Sequence, residues 1–171
     1  MQLVSVWLVT NDEDKLYLSK IINDLGSKYA APLFHPHLTV YGGADTSADE
    51  VIQAAKDAVF GIKPFKITVD KLNQSEDYFK TVFIEFKDHD LLTIINQRLD
   101  QKLAKYSDYT FKPHISLIYK DMSEEEKKEV IASLNVKKEF TIFGIAVVIG
   151  DDQKNEEGVK SWRILYKQNL M

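Results

Sequence analysis

"FHPHLTVYGG" at residues 34–43 and "FKPHISLIY" at residues 111–119 say nearly the same thing twice. The shared pattern is Phe-x-Pro-His followed two residues later by a hydroxyl, and it uses two of only four histidines in the chain. In a strand, residues i and i+2 point to the same face. His37 and Thr39 therefore share a face, with Leu38 and Val40 opposite. His114 and Ser116 do the same against Ile115 and Leu117. Each apolar pair can enter a core while each polar pair lines a cleft. The proline before each histidine keeps the chain extended at the strand's start.

A shift of 77 residues carries His37 onto His114, and it aligns more than the motif. Tyr29 meets Tyr106, Phe34 meets Phe111 and Thr39 meets Ser116, while Trp7, Val9 and Leu18 fall on Ile84, Phe86 and Ile95 without a gap. The apolar run 3–9 reads as a strand covered on both faces, and Leu18, Ile21, Ile22, Leu25 and Tyr29 mark an amphipathic helix after the caps Asn11 and Asp12. Strand 37–41, a helix through Val51, Ala54, Ala55 and Ala58, and an alternating strand 65–71 complete one half. The other half reads as strand 79–86, a helix near 89–105, the motif strand and a helix capped by Ser123-x-x-Glu126. Strands near 140–149 and 161–168 follow, with the polar stretch 150–160 between them expected as a mobile hairpin loop.

This repetition implies one α+β domain over residues 1–171, internally duplicated, with motif halves of about 1–76 and 77–171. Two lobes of largely antiparallel sheet backed by helices would enclose a central cleft, with the motif strands side by side at the centre.

Composition narrows the chemistry. There are no cysteines, which removes disulfides, thiolate catalysis and cysteine-based zinc sites and fits a cytoplasmic location. The net charge of −4 argues against a surface built to neutralise many phosphates, so no long nucleic acid is expected. The first fifteen residues read as a strand rather than a signal peptide, and no apolar run suits a membrane helix. A monomer would suffice, because the duplication already supplies a twofold cleft.

Two facing imidazoles suit in-line displacement at phosphorus, which needs a base on the attacking oxygen and an acid on the leaving oxygen. With an ordinary pKa of about 6.5, one ring can be neutral and the other protonated near neutral pH. The hydroxyls of Thr39 and Ser116 could then hold non-bridging oxygens. Nothing in this arrangement demands a metal or another cofactor. His35, which shares a face with His37, suggests a metal pair, but its counterpart in the repeat is Lys112. His89 falls at a helix start, and Tyr78 and Phe79 read equally as an aromatic wall or as core.

His37-Leu38-Thr39 and His114-Ile115-Ser116 together resemble the tandem signature of the two-histidine (2H) phosphoesterases. "SVWLV", "PHLTV", "KPHISLIYKDMSEEEKK" and "SWRILYKQNL" look like its cyclic phosphodiesterase branch. The resemblance implies a metal-independent hydrolase that opens ADP-ribose 1″,2″-cyclic phosphate or nucleoside 2′,3′-cyclic phosphates. It makes His37 and His114 the acid–base pair, and by analogy within the superfamily His114 the base and His37 the acid. Thr39 and Ser116 become phosphate ligands, Tyr119 a substrate contact, and Trp7 a first-strand residue flanking the ligand. The alternatives are a related enzyme acting on 2′,3′-cyclic RNA ends or 2′–5′ linkages, and a silent nucleotide-binding module.

Overall fold

A computed structural model describes residues Met1–Met171. The chain runs β1 (Gln2–Thr10), α1 (Asp12–Tyr29), β2 (Leu38–Ala44), α2 (Ala48–Ala58), β3 (Phe65–Gln74), β4 (Val82–Phe86) and α3 (Asp90–Leu103). It continues through β5 (His114–Ile118), α4 (Glu124–Ser133), β6 (Glu139–Asp151), α5 (Glu156–Lys160) and β7 (Arg163–Asn169). Up to β6, the order strand–helix–strand–helix–strand is read twice. The result is α+β, and every strand pairing is antiparallel.

The third strand of each half joins the other half's sheet. β6 pairs with β1 from Gln2↔Asp151 to Thr10↔Ile142, whereas β3 pairs with β4 through Val69–Gln74. β3 and β6 also pair with each other at Phe65–Thr68, giving the path β2-β1-β6-β3-β4-β5 with β7 on the remaining stretch of β6. The motif strands β2 and β5 are thus the two ends of this path. They are not hydrogen-bonded side by side, as the twofold argument from sequence suggested; they approach each other because the path bends round the cleft.

Helices make the same exchange, since α1 packs on β5 and α3 on β2. Leu18, Ile22 and Leu25 of α1, and Leu92, Ile95, Leu99 and Leu103 of α3, are the buried stripes that hold these contacts. Burying each such side chain is worth about 1.5–3 kcal/mol. Asn11 caps α1 by accepting from the Asp14 amide at 2.9 Å, and the Ser123–Glu126 capping box opens α4.

Three local expectations need correction. β1 meets the main core on one face only, through Val4, Val6 and Leu8; on the other, Trp7 joins a small buried cluster with Ala146 and Val148, and it and Ser5 line the cleft. The strand expected to start at 79 begins at Val82, because Asp77 accepts from the Phe79 amide and winds Tyr78–Lys80 into a 3-10 turn. The stretch 150–160 is also more ordered than a mobile loop. Asn155 caps the short α5, and Gly158 lies so close to Gln153 that a Cβ there would sit 2.0 Å from the Gln153 carbonyl oxygen.

Candidate active site

A cleft of about 540 Å³ opens between the motif strands, and His37, Thr39, His114, Ser116, Tyr119 and Trp7 all line it. Leu38, Val40, Ile115 and Leu117 on the opposite faces are buried in the core, as the alternation of a strand requires. The structure therefore brings all six sequence-derived site residues to one cavity.

The histidines are anchored alike. His37 Nδ1 lies 2.7 Å from the His35 carbonyl, and His114 Nδ1 lies 2.7 Å from the Lys112 carbonyl. A carbonyl only accepts, so Nδ1 carries the proton in both rings and each Nε2 is left free to act. His35 itself lines a different cavity beside Phe34 and Lys160, so it does not join His37 at one site.

Their surroundings differ. Trp7 stacks on His37 with centroids 3.5 Å apart and planes 9° from parallel, placed there by the Trp7↔Thr39 register of β1 and β2. His37 is buried, and loss of water drives its pKa down to about 3, although the His35 carbonyl favours the charged ring. His114 is only partly buried and meets the edge of Phe83. Its pKa is also lowered, first by burial and further by the Lys80 charge, while the Lys112 carbonyl, Asp77 and Glu85 oppose the shift.

The hydroxyls are not equivalent either. Ser116 Oγ donates to the Phe79 carbonyl at 2.8 Å, whereas the Thr39 hydroxyl has no partner within the chain. Tyr119 stacks on Phe34 at 3.9 Å and is buried, which raises its pKa and keeps the phenol protonated.

Several lining residues were not singled out from sequence. Trp162, between α5 and β7, stands edge-on to both Trp7 and Tyr119, and Phe79 packs against it at 5.4 Å. Gly150 makes room for that indole, since a Cβ there would fall 2.1 Å from a ring carbon. The "SW" pair in the closing segment was the one available signal. Tyr109 fastens the loop before the second motif by donating to the Thr39 carbonyl at 3.0 Å, and Ser107 donates to the Gly42 carbonyl at 2.6 Å. Asp77, Lys80 and Lys112 complete the wall on the His114 side.

A fold of exchanged antiparallel strands with an imidazole and a hydroxyl on each of two facing strands defines a two-histidine phosphoesterase. Residues 1–167 match the family model described as cyclic phosphodiesterase-like protein, and the chain belongs to that family of phosphodiesterases. It is 29% identical over 124 residues to the cyclic phosphodiesterase of Arabidopsis thaliana, covering 72% of this chain and 68% of the relative. Among solved structures, E. coli LigT complexed with 3′-AMP superposes with a TM-score of 0.63 at 15% identity, covering 99% of this chain and 98% of LigT. TT0787 of Thermus thermophilus has the same TM-score at 16% identity, with 99% and 98% covered. These two likenesses speak for the fold alone. No helix of the chain is long and apolar enough to cross a membrane.

Proposed function

We propose that the cleft hydrolyses the cyclic phosphate of a small nucleotide, ADP-ribose 1″,2″-cyclic phosphate or a nucleoside 2′,3′-cyclic phosphate, by His37/His114 general acid–base catalysis without a metal. The observation that carries this reading is the matched anchoring of the two rings, each with Nδ1 held by the carbonyl two residues earlier and Nε2 left for chemistry. One imidazole takes a proton from water as its oxygen attacks phosphorus. The other gives a proton to the ring oxygen as the P–O bond on the opposite side breaks. One water is consumed, one phosphate monoester forms, and the rings exchange protons with solvent before the next turnover.

Thr39, with its free hydroxyl, donates to a non-bridging oxygen as the molecule binds. Ser116 does so by turning its proton away from the Phe79 carbonyl. Both imidazoles are biased towards neutrality by their burial in the chain. The phosphate's negative charge offsets that bias and lets one ring hold the proton the leaving group needs. Trp7, Tyr119 and Trp162 offer aromatic faces and edges to a base or ribose. That LigT has been solved with 3′-AMP and with phosphate supports a nucleotide in a cleft of this fold.

The direction of proton flow is open to a direct decision. Superfamily analogy makes His37 the acid, yet His37 is the ring that burial holds more firmly neutral, the state of a base. A cyclic substrate with sulfur at the leaving position needs no acid, so it restores turnover to the variant lacking the acid and not to the one lacking the base.

A phosphorus NMR time course in EDTA, on ADP-ribose 1″,2″-cyclic phosphate and the four 2′,3′-cyclic nucleotides, tests the reading. Opening to a 1″- or 2′-monophosphate is expected. Silence on all five with the fold intact would overturn it in favour of RNA ends or a binding module.

A further inference from the structure

The cleft is electrically lopsided. Lys80 and Lys112 are the only lysine or arginine residues on its lining, and both stand on the His114 side. The repeat gives the other side no counterpart: shifting back by 77 places Leu3 opposite Lys80 and His35 opposite Lys112. Leu3 is uncharged, and His35 lines another cavity.

Neither lysine is neutralised. Lys80 and Lys112 form no ion pair, although the carboxylates of Asp77 and Glu85 act on Lys80. Those two carboxylates are held by other cations, Asp77 by Lys154 at 3.5 Å and Glu85 by Lys71 at 3.7 Å. Of the remaining acids on the lining, Asp151 and Asp152 are bridged by the amino terminus, at 3.5 and 3.8 Å, and only Asp108 is without a partner. Lys80 Nζ lies 4.5 Å from the centre of the Phe83 ring, the same ring that packs against His114 with centroids 5.5 Å apart. Burial, and then the Lys112 charge, lower the Lys80 pKa. Two cations held within reach of each other, on a protein of net charge −4, cost free energy that an anion between them would recover.

We propose that Lys80 and Lys112 form a second anion subsite that receives a phosphate other than the cyclic one, so that the preferred substrate carries at least one phosphate group besides the cyclic phosphate. The proposal rests on the phosphodiesterase reading above and narrows its substrate class. The shared chemistry is a phosphate monoester or pyrophosphate attached to the same small molecule as the cyclic phosphate. Charge-assisted hydrogen bonds from two lysines are enough for a preference of at least about tenfold.

The test compares kcat/KM for adenosine 2′,3′-cyclic phosphate, its 5′-phosphorylated form and ADP-ribose 1″,2″-cyclic phosphate. The enzymes are the wild type, the Lys80→Gln/Lys112→Gln double variant and the Lys80→Arg/Lys112→Arg double variant. The wild type is expected to favour one or both substrates that carry a further phosphate by at least about tenfold over the plain cyclic nucleotide. Which of the two it favours separates a 5′-phosphate from a pyrophosphate. That ratio should fall towards one with glutamine and persist with arginine. A wild type without preference, or a glutamine variant that keeps it, overturns the subsite.

If no variant opens any substrate, the activity reading fails on its own, and calorimetric titration with inorganic pyrophosphate then judges the subsite. Binding weakened about tenfold or more in the glutamine variant supports it, and equal or absent binding overturns it.

Discussion

The indole of Trp7 lies flat on the imidazole of His37, 3.5 Å away and 9° from parallel, and no aromatic residue plays this part for His114. One catalytic candidate is therefore sealed from water on a whole face, while its partner is reached from the side. The pair is symmetric in sequence and asymmetric in solvation.

Trp7→Ala should return water to His37. Its pKa rises from about 3 towards the ordinary imidazole value, because the largest cause of the depression is burial. Proton NMR of the ring carbons would follow the titration. Turnover should fall about 3–10-fold, the worth of one lost aromatic contact, and Trp7→Phe should recover most of it. An unchanged His37 titration in the alanine variant would show that stacking does not set its protonation.

Burial lowers both histidine pKa values, which fixes the sign of the pH dependence. The profile of kcat/KM reports the free enzyme, so its bell should be centred on the acid side of 6.5, the ordinary imidazole value. The profile of kcat reports the complex, where an anionic phosphate raises both values, so its optimum should lie at higher pH. Coincident optima, or a kcat/KM optimum well above neutrality, would contradict this ordering.

Thr39 and Ser116 should separate in mutant kinetics. Thr39→Val removes a hydroxyl that has no partner within the chain, so its loss is felt in phosphate binding and turnover rather than in folding. A fall of about 10–100-fold in kcat/KM is expected, with the melting temperature nearly unchanged. Ser116→Ala also strands the Phe79 carbonyl, so it should lower both activity and stability, the latter by about 1 kcal/mol. Thermal melts beside steady-state rates would resolve the two patterns.

Gly150→Ala should displace Trp162, because the added methyl would lie 2.1 Å from the indole. An overpacked site of this kind costs about 1–3 kcal/mol. It should raise KM and lower kcat together, since Trp162 stands edge-on to Trp7, Tyr119 and the His37 ring. A rise in KM with kcat unchanged would show that moving Trp162 leaves His37 undisturbed.

The motif residues were legible because a strand's period of two assigns each side chain a face, and the repeat supplied a second copy as a check. His37, Thr39, His114 and Ser116 needed no knowledge of long-range pairing. Trp162 and Lys80 did. Trp162 reaches the cleft because it lies against Gly150 of β6, which pairs with β1 from Gln2 to Thr10, and Lys80 because Asp77 winds a 3-10 turn where alternation promised a strand. The exchange of β3 and β6 was hidden for the same reason: a hydrophobic pattern says that a segment is a strand, not which strand it will pair with. The helix α5, at five residues, is too short for periodicity to reveal. Its cap at Asn155 and the close approach of Gly158 to Gln153 hold it instead.

The most direct test of the central claim is the rate of cyclic phosphate opening by His37→Ala and His114→Ala, followed by phosphorus NMR in EDTA beside the wild type. Each variant should lose at least about 100-fold while the wild type keeps its full rate in the chelator. A near-normal rate in either variant, or a wild-type rate abolished by EDTA and restored by a divalent cation, would contradict the paired-imidazole mechanism.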